Sequence, residues 1–230
     1  MGTDSSLIVR SRVPSHSIRL VVYDLDGTLV NSAEIVQKIL NDIRFELGKE
    51  MLGRSAFIPW ISLGGEDLIR NALGIPEIDV NKYLQEFRLR YFSLPTPQES
   101  IYEGVIDCLD YLKQENYYLA ICTNKPRKLA EKVLNETGLS RFFGYINAGG
   151  DLPIKKPHEQ NIIQCLEYFG VQNSQAIMVG DSTVDQELAS NASISFVHYE
   201  HGYNDGVRKD LAALVLSKHV DLIEFLQINR

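Results

Sequence analysis

The stretch that decides the reading of this chain is Val21-Val22-Tyr23-Asp24-Leu25-Asp26-Gly27-Thr28-Leu29-Val30-Asn31-Ser32. It begins as a short apolar, β-branched run, the pattern of a buried strand. Two carboxylates then follow two residues apart where that strand stops. Side chains at i and i+2 of an extended backbone leave the same face, so Asp24 and Asp26 can address one site. Gly27 and Thr28 supply the turn. Acidic pairs at strand ends sit where open α/β sheets bind ligands. The plainer alternative is an acidic turn that caps the next helix.

Working outward, 230 residues fit one sizeable domain, or a core carrying a smaller insert. The chain is 44% hydrophobic and 23% charged, an ordinary globular balance. No run approaches the roughly 18 apolar residues of a membrane span, so no membrane partner is expected. A net charge of −7 argues against nucleic-acid binding. Cys108, Cys122 and Cys165 are far apart in apolar surroundings, which points to buried thiols in a reducing cytoplasm. The polar residues 1–17 read as a flexible N-terminal tail. Met1 to Ser6 also matches an N-myristoylation pattern, short enough to arise by coincidence.

Helical spacing recurs in Val36, Ile39, Leu40, Ile43 and Leu47, with Gly48 placed to end the helix. A less regular piece, Met51 to Leu63, precedes helical patterns around Leu68 to Leu73 and Val80 to Tyr91. From Ser100 onward strands and helices alternate. Strands are expected over Tyr118–Cys122, Phe143–Asn147, Ala176–Val179 and Ile194–His198. Helices are expected from Val105, over Pro126–Thr137, Pro157–Phe169 and Val184–Ala192, and around Leu222. Alternation of this kind predicts a parallel sheet covered on both faces. The all-helical block interrupts it just after the acidic pair, where it would lie above the strand ends.

Three later strand ends carry polar groups. Thr123-Asn124-Lys125 offers a hydroxyl and an amide at a helix start, suited either to an anion or to capping. Lys155-Lys156-Pro157 offers two amines that otherwise read as solvated surface. Gly180-Asp181-Ser182-Thr183-Val184-Asp185 ends a strand with one carboxylate and adds another four residues on, which capping alone would also explain.

Taken in order, Asp-x-Asp-Gly-Thr, Thr-Asn, Lys-Pro and Gly-Asp-x-x-x-Asp resemble the four motifs of the haloacid dehalogenase-like (HAD) phosphatases, in particular the phosphoglycolate phosphatase-like branch. The resemblance runs from about Ile18 to the end of the chain. It implies a Rossmann-like, three-layer parallel-sheet core over 18–32 and 101–230, with an inserted all-helical cap over 33–100. It also implies Asp24 as nucleophile and Asp26 as general acid/base. Thr123 and Asn124 would hold the phosphoryl group and Lys156 would pair with it. Asp181 and Asp185 would serve a metal, together with the Asp24 carboxylate and the Asp26 main-chain carbonyl. Substrate specificity would lie in the cap, near Gly65 and Arg70, the latter able to meet a substrate carboxylate or simply to pair with Glu66. Asn31 stands where many members carry Asp. His158-Glu159 follows Lys156-Pro157 where a second proline is common, which leaves Lys155 open as the phosphate-pairing amine.

The chemistry of phosphoryl transfer supports this distribution of charge. At 4 Å and an effective dielectric of about 20, each pair of like charges costs about 4 kcal/mol. Asp24, Asp26, Asp181 and a phosphate dianion therefore need more positive charge than one lysine supplies. A divalent cation with oxygen ligands, Mg²⁺, is the expected cofactor. The partner is then a small phosphorylated metabolite, phosphoglycolate first. Two other readings remain at this point: a phosphosugar mutase of the same superfamily, and a non-catalytic phospho-receiver module.

Overall fold

The strand read from the acidic stretch is β1 (Leu20–Tyr23), and all four of its residues are buried. The computed structural model describes residues 17–61 and 63–228. The expected tail and the Met1 to Ser6 acylation pattern lie outside the described residues, Ser17 excepted. The remaining strands are β2 (Tyr118–Pro126), β3 (Tyr145–Gly149), β4 (Ala176–Gly180), β5 (Ser195–Tyr199) and β6 (Leu214–Leu216). They form one sheet of order β3-β2-β1-β4-β5-β6, parallel throughout. The order reverses between β1 and β4, so the crevice of this sheet opens where those two strands end.

Between β1 and β2 run α1 (Ala33–Glu46), α2 (Arg54–Ile61), α3 (Gly65–Leu73) and α4 (Glu77–Ser93). The other helices are α5 (Val105–Gln114), α6 (Arg127–Glu136), α7 (Gln160–Phe169), α8 (Thr183–Asn191) and α9 (Asp221–Ile228). Val21, Tyr23, Ile121, Ile177, Val179 and Val197 bury one sheet face against α5, α6 and α9. Leu20, Val22, Ala120, Cys122 and Met178 bury the other against α7 and α8. Strands covered on both faces have no polar side to present, which is why β1 and β4 read as unbroken apolar runs. Three layers result.

Several boundaries differ from expectation. The piece expected to be irregular, Met51 to Leu63, holds the helix α2 despite Pro59 within it. Only Phe57 and Ile61 are buried there, and Phe57 meets Trp60 edge-on at 6.3 Å. Packing against neighbouring helices thus outweighs the poor local propensity. Pro126 ends β2 in an extended conformation instead of opening α6. The residues 157–159 form a turn before α7. The short strand β6 was not anticipated, because three residues are too few to show a period. Among the described residues, no helix is long and apolar enough to cross a membrane.

Candidate active site

Asp24 directly follows β1, and its N–H extends the ladder by donating to the Val179 carbonyl at 3.0 Å. The chain then turns through Gly27 at φ +87°, where a Cβ would fall 2.3 Å from Asp181 Oδ2. Glycine is required at that point by both its φ and the close approach. The turn thereby brings the end of β1 against the end of β4.

Asp24, Asp181 and Asp185 are all buried, and each offers a carboxylate oxygen within 4.8 Å of the other two. Lys156 Nζ donates to Asp24 Oδ1 and to Asp185 Oδ1, both at 2.7 Å. Asp181 accepts from Thr28 Oγ1 at 2.8 Å and from the Tyr203 main-chain N–H at 2.7 Å. Asp185 also accepts from Ser182 Oγ at 2.7 Å and Ser182 N–H at 3.2 Å, closing the capping box that starts α8. Between the two lysines left open by the sequence, the buried one is Lys156. Lys155 is exposed and pairs with Asp67 of α3 at 2.7 Å.

Three buried carboxylates face one ammonium here. Burial pushes Asp24 up to about 7; Lys156 opposes this, while Asp185 and Asp26 add to it. Burial, with Asp185 and Asp24 beside it, also raises Asp181 well above the carboxylate range. Burial works against the Lys156 ammonium too, but Asp185 and Asp24 hold its pKa above that of an ordinary lysine. At 4.8 Å and an effective dielectric of about 20, two of these carboxylates repel by about 3 kcal/mol. An excess of buried negative charge on oxygen-only donors fits a hard divalent cation.

Asp26 has separate partners. Lys125 Nζ donates to both its oxygens, at 3.0 and 3.1 Å, and Ser32 Oγ donates to Oδ1 at 2.6 Å. Lys125 also reaches the Tyr91 hydroxyl of α4 at 2.9 Å, with its ammonium 4.1 Å from that ring centre. Burial disfavours this ammonium, yet Asp26 and Tyr91 keep its pKa above the usual lysine value. The sequence assigns Lys125 no role, because its partner Asp26 lies 99 positions away.

Thr123 is buried, and its Oγ1 accepts from the Lys125 N–H at 3.2 Å. Asn124 lines the same cleft as Thr123, and its amide brackets the Lys156 main chain, accepting from Lys156 N–H at 2.9 Å and donating to Lys156 O at 3.3 Å. It therefore fixes the loop that carries the lysine.

Asp24, Asp26, Thr123 and Lys156 form the polar end of a cleft whose other walls include Val36, Leu68 and Phe87 from the helical block. Gly65 lines this cleft and Arg70 does not. The Arg70 guanidinium is taken up by Asp67 at 2.7 Å and by Glu77 at 2.7 and 3.0 Å, not by Glu66. A substrate contact from Arg70 would require breaking both pairs. Within the charged stretch Tyr199 to Asp210, Tyr199, Tyr203 and Val207 are buried, with Tyr203 packed against Asp181. Their spacing of four within a charged segment was the signal available.

A family model for haloacid dehalogenase-like hydrolases matches residues 21–199 of this chain. A phosphoglycolate phosphatase of Pseudomonas putida is 34% identical over 195 residues, covering 82% of this chain and 71% of that protein. A phosphoglycolate phosphatase of Nitrosococcus oceani is 31% identical over 194 residues, covering 82% of this chain and 86% of its own. Among solved structures, a predicted phosphoglycolate phosphatase from Haemophilus somnus 129PT superposes with a TM-score of 0.83 at 25% identity, covering 90% of this chain and 97% of that one.

Proposed function

Since this chain belongs to the haloacid dehalogenase-like hydrolase family, we propose that it is a Mg²⁺-dependent phosphatase acting on a small phosphate monoester, phosphoglycolate being the first substrate to test. The observation that carries this reading is the separation of two carboxylates that leave one strand end. Asp24 lies in the buried acidic cluster with Lys156, whereas Asp26 lies outside it with its own cation, Lys125. That separation supports one as nucleophile and the other as proton carrier.

In this reading the Asp24, Asp181 and Asp185 carboxylates and the Asp26 main-chain carbonyl hold the ion. When bound, Mg²⁺ supplies the positive charge that keeps these carboxylates ionised and offsets the charge of the phosphoryl oxygens. Asp24 Oδ attacks phosphorus in line, and the ester P–O bond breaks as Asp26 gives its proton to the departing oxygen. The aspartyl-phosphate is then hydrolysed by a water that loses its proton to Asp26, which regenerates Asp24. Lys156 and the Thr123 hydroxyl balance and orient the transferred group. Asn124 acts one step back, through the Lys156 main chain.

Residues 33–100 form the cap in this account, because Val36, Gly65, Leu68, Phe87 and Tyr91 wall the cleft opposite the strand ends and exclude water from it. The buried free thiols of Cys108, Cys122 and Cys165 suit a reducing cytoplasm. The test is phosphate release with Mg²⁺ across phosphoglycolate, sugar phosphates, nucleotides and pyrophosphate. Release that Asp24→Asn abolishes supports the reading. No release from any ester, or equal release by pure Asp24→Asn protein, overturns it.

A further inference from the structure

The loop after β5 has no part in the roles above, yet it touches both halves of the site. The Tyr203 main-chain N–H donates to Asp181 Oδ2 at 2.7 Å, while Thr28 takes the other oxygen, so the rotamer of this buried carboxylate is held from both sides. The approach is as close as a backbone permits. A Cβ on Gly202 would lie 2.3 Å from Asp181 Cβ and 2.3 Å from the Gly27 carbonyl oxygen. The same loop is anchored at the start of α8, where Asp205 accepts from the Thr183 N–H at 2.6 Å and from Thr183 Oγ1 at 3.0 Å.

The side chain of Tyr203 runs the other way. Its phenol lies 2.9 Å from Ser32 Oγ, in a buried position. With Asp26 ionised, Ser32 gives its single proton to Asp26 at 2.6 Å, which leaves the phenol as the donor to Ser32. The result is a directed chain, Tyr203 to Ser32 to Asp26, in which each hydroxyl fixes the next. One residue therefore aligns the late carboxylate with its main chain and the early one with its side chain.

We infer that Gly202 and Tyr203 are positioning residues of the reaction: Gly202 lets the loop seat Asp181, and the Tyr203 phenol aims Asp26 through Ser32. The inference rests on the phosphatase reading, and its test separates the two. Tyr203→Phe removes only the hydroxyl and keeps the ring and the N–H. Its kcat should fall about five- to tenfold, the upper end of what one neutral hydrogen bond is worth. KM and the Mg²⁺ concentration for half-maximal rate should stay within about twofold, which a general loss of structure would not spare. Because Tyr203 acts through Ser32, the double variant Ser32→Ala/Tyr203→Phe should be no slower than the slower single variant. Wild-type kcat in Tyr203→Phe, or losses that multiply in the double variant, overturns the inference.

Gly202→Ala is read by calorimetric titration with Mg²⁺ alone, on protein whose circular dichroism matches wild type. Binding weakened about tenfold or more supports the seating of Asp181, and unchanged binding overturns it. If Gly202→Ala does not fold, the Tyr203→Phe arm still decides whether the phenol aims Asp26, and its failure alone overturns the inference. If wild type releases no phosphate, the functional reading fails and the titration still decides whether Gly202 seats Asp181.

Discussion

Replacing Asp24 by Asn should make the ion-free protein more stable, and by an amount that depends on pH. Burial lifts the Asp24 carboxyl from 3.8 to about 7 in the fold, even with Lys156 at 2.7 Å. A tenfold change in proton affinity is worth about 1.36 kcal/mol, so keeping Asp24 ionised costs the ion-free fold about 4 kcal/mol. The sign follows from the raised value. The folded state binds the proton more tightly than the unfolded chain, so this contribution is fully present below pH 3.8 and is lost as pH rises through 7. The amide introduced by Asp24→Asn carries no charge, and its oxygen accepts from Lys156 much as the carboxylate does. At pH 8 with a chelator present, Asp24→Asn should therefore exceed wild type by up to about 4 kcal/mol, or roughly 10 °C in Tm for a chain of this size. The gap should close towards pH 4. Added Mg²⁺ should narrow it at pH 8, because the ion binds the folded wild type and not the unfolded chain. Urea denaturation at a series of pH values, with and without chelator, measures all three effects. An Asp24→Asn protein no more stable than wild type at pH 8, or a gap that ignores pH, would refute the charge-crowding account.

Three further outcomes follow from the same geometry. Lys156→Ala should lower kcat by about 10²–10³-fold in a phosphate-release assay, the range for losing a group that stabilises the transferred charge, whereas Lys155→Ala should stay within about twofold. Lys125→Met should cost about 2 kcal/mol in denaturant unfolding, because Asp26 loses a cation bonded to both its oxygens but keeps Ser32; an unchanged midpoint contradicts this. His219 lies behind the first acidic turn with Nε2 2.9 Å from the Thr28 carbonyl, and burial pushes its imidazole from 6.5 down to about 4. The unfolded chain takes up that proton first, so about 3 kcal/mol of stability should be lost as pH falls from 6.5 towards 4, a slope that His219→Gln should remove.

What could be read from the chain was local, and what could not was brought together from afar. Asp24 and Asp181 each follow an apolar run, so their place just past the ends of β1 and β4 was legible, whereas Thr123 closes such a run but lies within β2, which continues to Pro126. Their meeting at one crevice depends on the order β2-β1-β4, which no local pattern states. Lys156 was ambiguous with Lys155 because adjacent residues share composition; only burial distinguishes them. Lys125 lies 99 positions from Asp26, and Tyr203 lies 171 from Ser32, so neither pairing leaves a trace in spacing. Asn124 was read correctly as polar and placed at the right loop, but an amide that suits an anion also suits a main chain. The helix α2 was missed because its stability comes from Phe57 and Ile61 meeting other helices, against the preference of Pro59.

The claim beneath all of this is that Asp24 itself takes the phosphoryl group. Borohydride reduction of protein quenched during turnover, followed by peptide mass analysis, reads that bond directly, since an acyl phosphate on aspartate is reduced to homoserine. Wild type with substrate and Mg²⁺ should carry homoserine at position 24, and wild type without substrate should carry none. Steady phosphate release with position 24 unmodified, or modification at Asp26 instead, would contradict it.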